Sequence, residues 1–199
     1  MGFDLTGVDP HIKGKEPDEP DNMWADENES ERKSYFKKRQ RFLNKNKGVY
    51  FRNNCWWWRP LAYYVLEFTK VIDKKNQKTW QFNDCSEVDK HHATQIANQL
   101  DHLIKSGHTK KYEKTYEHRR EILEGLNKGI EKELSTFSKS VEKKLNKSDL
   151  APNDFPEEDK KKWDTIYSKR NSDASYPFSE KNVKEFSQFC RNSGGFTIG

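Results

Sequence analysis

The chain is poor in apolar residues and in the motifs that mark common chemistries. Only 32% of its 199 residues are hydrophobic, against 35% charged. The core must therefore be small or built from large side chains, and aromatics at 13% supply them. No apolar run approaches the roughly 18–20 residues of a membrane-spanning helix, so no membrane association is expected. Three cysteines, Cys55, Cys85 and Cys190, are odd in number and widely spaced. That argues against a disulfide framework and for a reducing compartment. The opening MGFDLTGVDP has neither a charged n-region nor an apolar h-region, so a cytoplasmic location is expected. No HExxH, nucleophile elbow or glycine-rich phosphate loop appears, and no catalytic residue, metal or cofactor is expected. His91 and His92 are adjacent and point different ways on a helix, so surface histidines at a helix start are a simpler reading than a zinc site with Asp84 and Cys85.

What the chain does have is concentrated in residues 50–61, YFRNNCWWWRPL. Trp56, Trp57 and Trp58 stand between Arg52 and Arg59, with Asn53 and Asn54 alongside. Flat stacking faces, planar cationic forks and amide groups are the chemistry that holds a base or a phosphorylated ligand. The bland reading is that the indoles are core and the arginines stack on them. Alternation or helical fanning would leave one indole in the core and another lining a cleft. Trp80, Asn83 and Asp84, from the irregular segment WQFNDCSE, complete the candidate ligand set.

The periodicities predict an α+β fold, mostly helical, with a small sheet joining the termini. FDLTGV at 3–8 reads as a strand that pairs with FTI at 196–198. Residues 11–47 form a charged insertion: a polar loop, then a basic helix over 31–46 with Tyr35, Phe36, Phe42 and Leu43 on one side. Pro60 suits the first turn of a helix over 61–73. Asp89 caps a helix over 88–106, closed by Gly107. Residues 109–147 give a long amphipathic helix or helical hairpin, with Gly125 and Gly129 against its continuity. Its eleven Lys/Arg and seven Glu across 110–147 describe a solvated face, and its narrow apolar stripe suits pairing in cis or in a homo-oligomer. Ser179 caps a helix over 180–192 that the Gly194-Gly195 pair ends. The whole chain, 1–199, reads as a single domain.

The motif YFRNNCWWWRPL, the opening GFDLTGVDP and the ending YPFSEKNVKEFSQFCRNSGGFTI resemble a family of small phage and bacterial proteins. Members of that family begin with a similar DLTG strand, carry a YFRNNxWWWRPL motif and finish with a helix followed by SGGF. The resemblance covers roughly residues 1–10, 48–112 and 176–198. The insertion at 11–47 and the long helix at 109–147 depart from it, and the chain lacks the cysteine-rich segment of some similar proteins. The resemblance implies a phage-type origin. By analogy it implies an anti-defence protein that sequesters a nucleotide-derived immune signal, a cyclic nucleotide or ADP-ribose derivative, without catalysis. A protein-protein inhibitor of a host defence enzyme acting through the long helix is the alternative, and a nucleotide-cleaving enzyme the third.

Overall fold

A computed structural model describes residues 2–25, 28–82 and 86–199. The fold is α+β and mostly helical, with one small four-stranded antiparallel sheet. The chain forms two compact units, residues 1–113 with 178–199 and residues 114–177.

The first unit holds the sheet, in the order β2-β1-β4-β3. Its strands are β1 (Gly2–Gly7), β2 (Tyr50–Asn54), β3 (Ser86–Val88) and β4 (Phe196–Ile198). The two termini lie side by side as expected: Leu5 pairs with Ile198 and Gly7 with Phe196. Strand alternation sends Phe3, Leu5, Phe51, Val88, Phe196 and Ile198 to the core. Asp4, Thr6, Tyr50, Arg52, Glu87 and Thr197 lie on the other face, which is polar. Helices α1 (Glu29–Lys45), α2 (Cys55–Thr69), α3 (Lys90–Lys105) and α6 (Glu180–Asn192) complete the unit. Asp89 caps α3 and Ser179 caps α6 through their side chains, both as the sequence predicts. Gly107 and the pair Gly194-Gly195 have positive φ, which closes α3 and α6. A close backbone approach also requires glycine at Gly48, where an added Cβ would collide with the Asn192 carbonyl oxygen.

The core of this unit is aromatic. Trp58 is wholly buried, stacked between Phe3 at 5.4 Å and Trp80 at 5.8 Å, with Phe186 edge-on at 5.9 Å. Its indole Nε1 donates to the Trp80 carbonyl at 2.7 Å, so the one polar group of the ring is satisfied. A second cluster joins Tyr64, Phe68, His108, Tyr112 and Phe178. Burial raises the Tyr64 phenol above its ordinary pKa, and its hydroxyl bonds Thr109 and His108 at 2.9 Å each.

Helix α4 (His108–Leu145) begins in the first unit and supplies half of the second. It is one uninterrupted 38-residue helix through Gly125 and Gly129, not a hairpin. In the second unit it faces α5 (Glu157–Tyr167) across a small core of Leu134, Val141 and Phe155. Polar bonds do much of the fastening there. Asn127 exchanges two hydrogen bonds with the Asn171 backbone, and Lys144 reaches the buried Asp159 at 3.0 Å.

Candidate functional site

The tryptophan motif does not act as one block. Its first half, YFRNN, is the edge strand β2, and its second half opens α2 six residues earlier than Pro60 suggests. Asn54 is the reason: its side-chain oxygen accepts from the Trp57 backbone N–H at 3.1 Å and starts the helix at Cys55. Asn53 donates to Asn182 of α6 at 3.0 Å, and Asn182 donates in turn to the Trp57 carbonyl at 3.4 Å. Both asparagines are therefore structural ties. Arg52 lies on the polar sheet face, with its Nε 3.4 Å from Asp4, and Asp4 also accepts from the Tyr50 hydroxyl. Burial, then the Asp4 bond, raises the Tyr50 pKa, and the Arg39 guanidinium lies 5.8 Å from its ring centre.

Trp58 and Trp80 are core residues, 0% and 1% exposed. Trp57 is half-buried. Asn83 and Asp84 lie outside the described residues. Of the expected set, Trp56 and Arg59 share an exposed face.

That face is the candidate site. At 100° per residue, Trp56, Arg59, Tyr63, Leu66 and Glu67 fall on one stripe of α2, and Lys70 caps its C-terminal end. Trp56 is 46% and Tyr63 58% exposed, one heptad apart. Beside the stripe lies an open hollow of about 760 Å³ between α2 and residues 72–81. Tyr63, Leu66 and Ile72 give it an apolar floor, and Lys70, Lys74 and Lys78 give it three ammonium groups. Asp73 lines it too, but both its oxygens are used by Asn76, at 2.8 and 3.2 Å. Lys70 stands in the left-handed region with φ 53°, which costs a side chain with a Cβ about 1 kcal/mol. Among the described residues the three other non-glycine residues at positive φ are Asn22, Asn146 and Asp149, types that tolerate it. Only Lys70 of the four lines this hollow. Tyr63, Lys70, Lys74 and Lys78 are not in the set expected from the sequence, which ended at the tryptophan motif and resumed at Trp80. The signal was the heptad from Trp56 through Tyr63 to Lys70.

The other candidate chemistries have ordinary explanations. His92 binds the capping Asp89 at 2.7 Å and His91 meets Gln95 at 3.0 Å. Among the described residues no group of three His, Cys, Asp or Glu side chains converges to hold a metal ion. Cys190 is buried, and desolvation pushes its thiol well above the ordinary range, the reverse of what activates a nucleophile. Among the described residues no helix is long and apolar enough to cross a membrane. No protein-family model, curated protein or solved structure matches the chain.

Proposed function

We propose that this chain binds a nucleotide-like ligand on the outer face of α2 and sequesters it without turnover. One observation carries the reading: two exposed aromatic rings and four cations, Arg59, Lys70, Lys74 and Lys78, share one face and its hollow. A base stacks on Trp56 or Tyr63, and the phosphates meet the ammonium groups. The left-handed Lys70 supports it, since strain is kept where the surrounding function needs the residue. The ligand class is the one the sequence resemblance implies, a cyclic nucleotide or ADP-ribose derivative, and the biological form would be phage-type anti-defence in a host cytoplasm.

The test is native mass spectrometry of the protein purified from cells, followed by heat release and titration with a panel of those nucleotides. The expected result is an intact nucleotide-like mass. Arg59→Ala should weaken binding by about 1.5–3 kcal/mol, the worth of a hydrogen bond to a charged group. Trp56→Ala and Tyr63→Ala should each cost about 1–3 kcal/mol through weaker stacking. Release of a cleaved ligand would replace sequestration with catalysis. No binding anywhere in the panel would overturn the reading.

A second reading, a protein-protein inhibitor, is supported by α4. Ile122 and Leu126 are 53% and 60% exposed on one face with Gly125 and Gly129, over which a neighbouring backbone can come close. Leu126→Lys should then abolish capture of a host protein while leaving nucleotide binding unchanged.

A further inference from the structure

Residues 32–47 hold eight Lys/Arg and no Asp/Glu, a local charge larger than the +5 of the whole chain. On α1 four of these cations recur at one spacing: Lys33, Lys37, Arg41 and Lys45. Each step of four residues rises about 6 Å, so the row is about 18 Å long. All four side chains are exposed. Like charges at i,i+4 repel, and three such pairs in sequence work against the helix that presents them. Only Lys33 has a carboxylate at hand among the described residues, Glu29 at 2.6 Å. Eight acidic residues precede the helix or open it between 16 and 31, and of the described ones only Glu29 pairs within the row. Glu16 pairs with Arg39 at 3.6 Å. Glu16 and Asp18 line a hollow with Glu31, Ser34, Tyr35 and Lys38, beside the row.

Beside the row stand two exposed aromatics, Trp24 at 74% and Phe36 at 44%, with ring centres 6.4 Å apart. The Arg32 guanidinium lies 5.7 Å from the Trp24 ring. Of the apolar residues of α1, Tyr35 and Phe42 are buried inside, Leu43 is half-buried and Phe36 alone is exposed. The exposed side thus has no continuous apolar face to insert into lipid, which an interfacial helix requires. A regular row of cations with stacking rings at its edge is instead the arrangement that tracks a flexible phosphate backbone and its unpaired bases.

We propose that the outer face of α1 binds the backbone of single-stranded nucleic acid, with Lys33, Lys37, Arg41 and Lys45 on successive phosphates and Trp24 and Phe36 against bases. This surface is separate from the α2 hollow and does not depend on it.

The experiment is fluorescence anisotropy of the full chain with a labelled 20-nucleotide oligo(dT) and oligo(U), repeated across a salt series. The ladder variant carries Lys33→Gln, Lys37→Gln, Arg41→Gln and Lys45→Gln; glutamine keeps helix propensity and removes the repulsion, so the helix stays folded. The control variant removes the same charge from α4, with Lys110→Gln, Lys128→Gln, Lys132→Gln and Lys139→Gln. The expected result is tight binding at low salt that weakens by more than about ten-fold in the ladder variant. Its log-log salt dependence should become shallower by roughly 0.7 for each phosphate no longer neutralised, about 2.8 in all. Trp24→Ala should weaken binding roughly ten-fold. Three results would overturn the proposal: no strand binding at low salt, equal weakening in the α4 control, or binding to phosphatidylserine vesicles in place of the strand.

Discussion

The two units draw on one hydrophobic-poor sequence in opposite ways. The first, residues 1–113 with 178–199, concentrates the aromatics: Trp58, Trp80, Phe186 and Phe196 interlock edge to face and face to face under the sheet. The second, residues 114–177, buries four hydrophobic side chains below one-tenth exposure and is laced by polar bonds. Arg120 joins Glu117, Glu124 and the Ala174 carbonyl, while Lys169 and Arg170 reach Glu133 and Glu131 across α4. Exposed ion pairs are each worth less than about 1 kcal/mol, whereas a buried indole is worth several. A helix-rich unit held by surface pairs opens more readily than one locked by stacked rings. Both candidate ligand faces, on α1 and α2, are therefore carried by the unit with the larger aromatic core.

The sharpest way to break that contrast is to remove its keystone. Trp58→Ala should cost about 3–5 kcal/mol, because it deletes a wholly buried ring and leaves the Trp80 carbonyl without its donor. Chemical denaturation followed by circular dichroism should show the drop, and a cost below about 1 kcal/mol would disprove the stacked core. In the second unit Val141→Ala should cost about 2 kcal/mol. Hydrogen exchange should then quicken across residues 114–177 while the strands of the first unit keep their protection. Equal quickening in both would show that the units do not open separately.

Much of the fold was legible because local rules agreed with the global result. Ser179 and Asp89 announced α6 and α3 to within a residue or two, and hydrophobic strands at both ends announced the terminal pairing. The long helix was legible in period but not in continuity, since two exposed glycines weaken a helix without ending it when nothing competes for the turn. The tryptophan motif misled for a physical reason. An Asn-Asn pair beside arginine looks like ligand chemistry, yet Asn54 serves as a cap and Asn53 as a tie to Asn182. Which indole faces inward follows from where the helix starts, and the cap moved that start from 61 to 55. The hollow beside Tyr63 was not legible, because it depends on how residues 72–81 return past α2.

A gentler change should widen the difference between the units. Lys70→Gly removes a Cβ from the left-handed region at the end of α2 and should stabilise the first unit by about 0.5–1 kcal/mol. The same change should weaken nucleotide binding, because it deletes an ammonium from the hollow. Thermal unfolding and titration on one sample would check both. A variant that is more stable and binds equally well would remove Lys70 from the site and leave its strain without a functional counterpart.

Acid should narrow the difference slightly through the Asp89 cap of α3. The backbone N–H of His92 donates to Asp89 at 2.8 Å, and this bond, then the His92 ring, holds the Asp89 carboxyl below its ordinary pKa. A depressed carboxyl gives stability that is fully present above the unfolded value of about 3.9 and is lost as pH falls through the folded value. The group is largely exposed, so solvent screening keeps the gain below about 1 kcal/mol. Asp89→Asn keeps an N-cap oxygen without the charge. Hydrogen exchange of α3 in the wild type should therefore quicken as pH drops below that range, beyond the intrinsic change, while the asparagine variant stays flat. If both respond alike, the acid sensitivity of α3 comes from elsewhere in the unit and the cap contributes no charge-dependent stability.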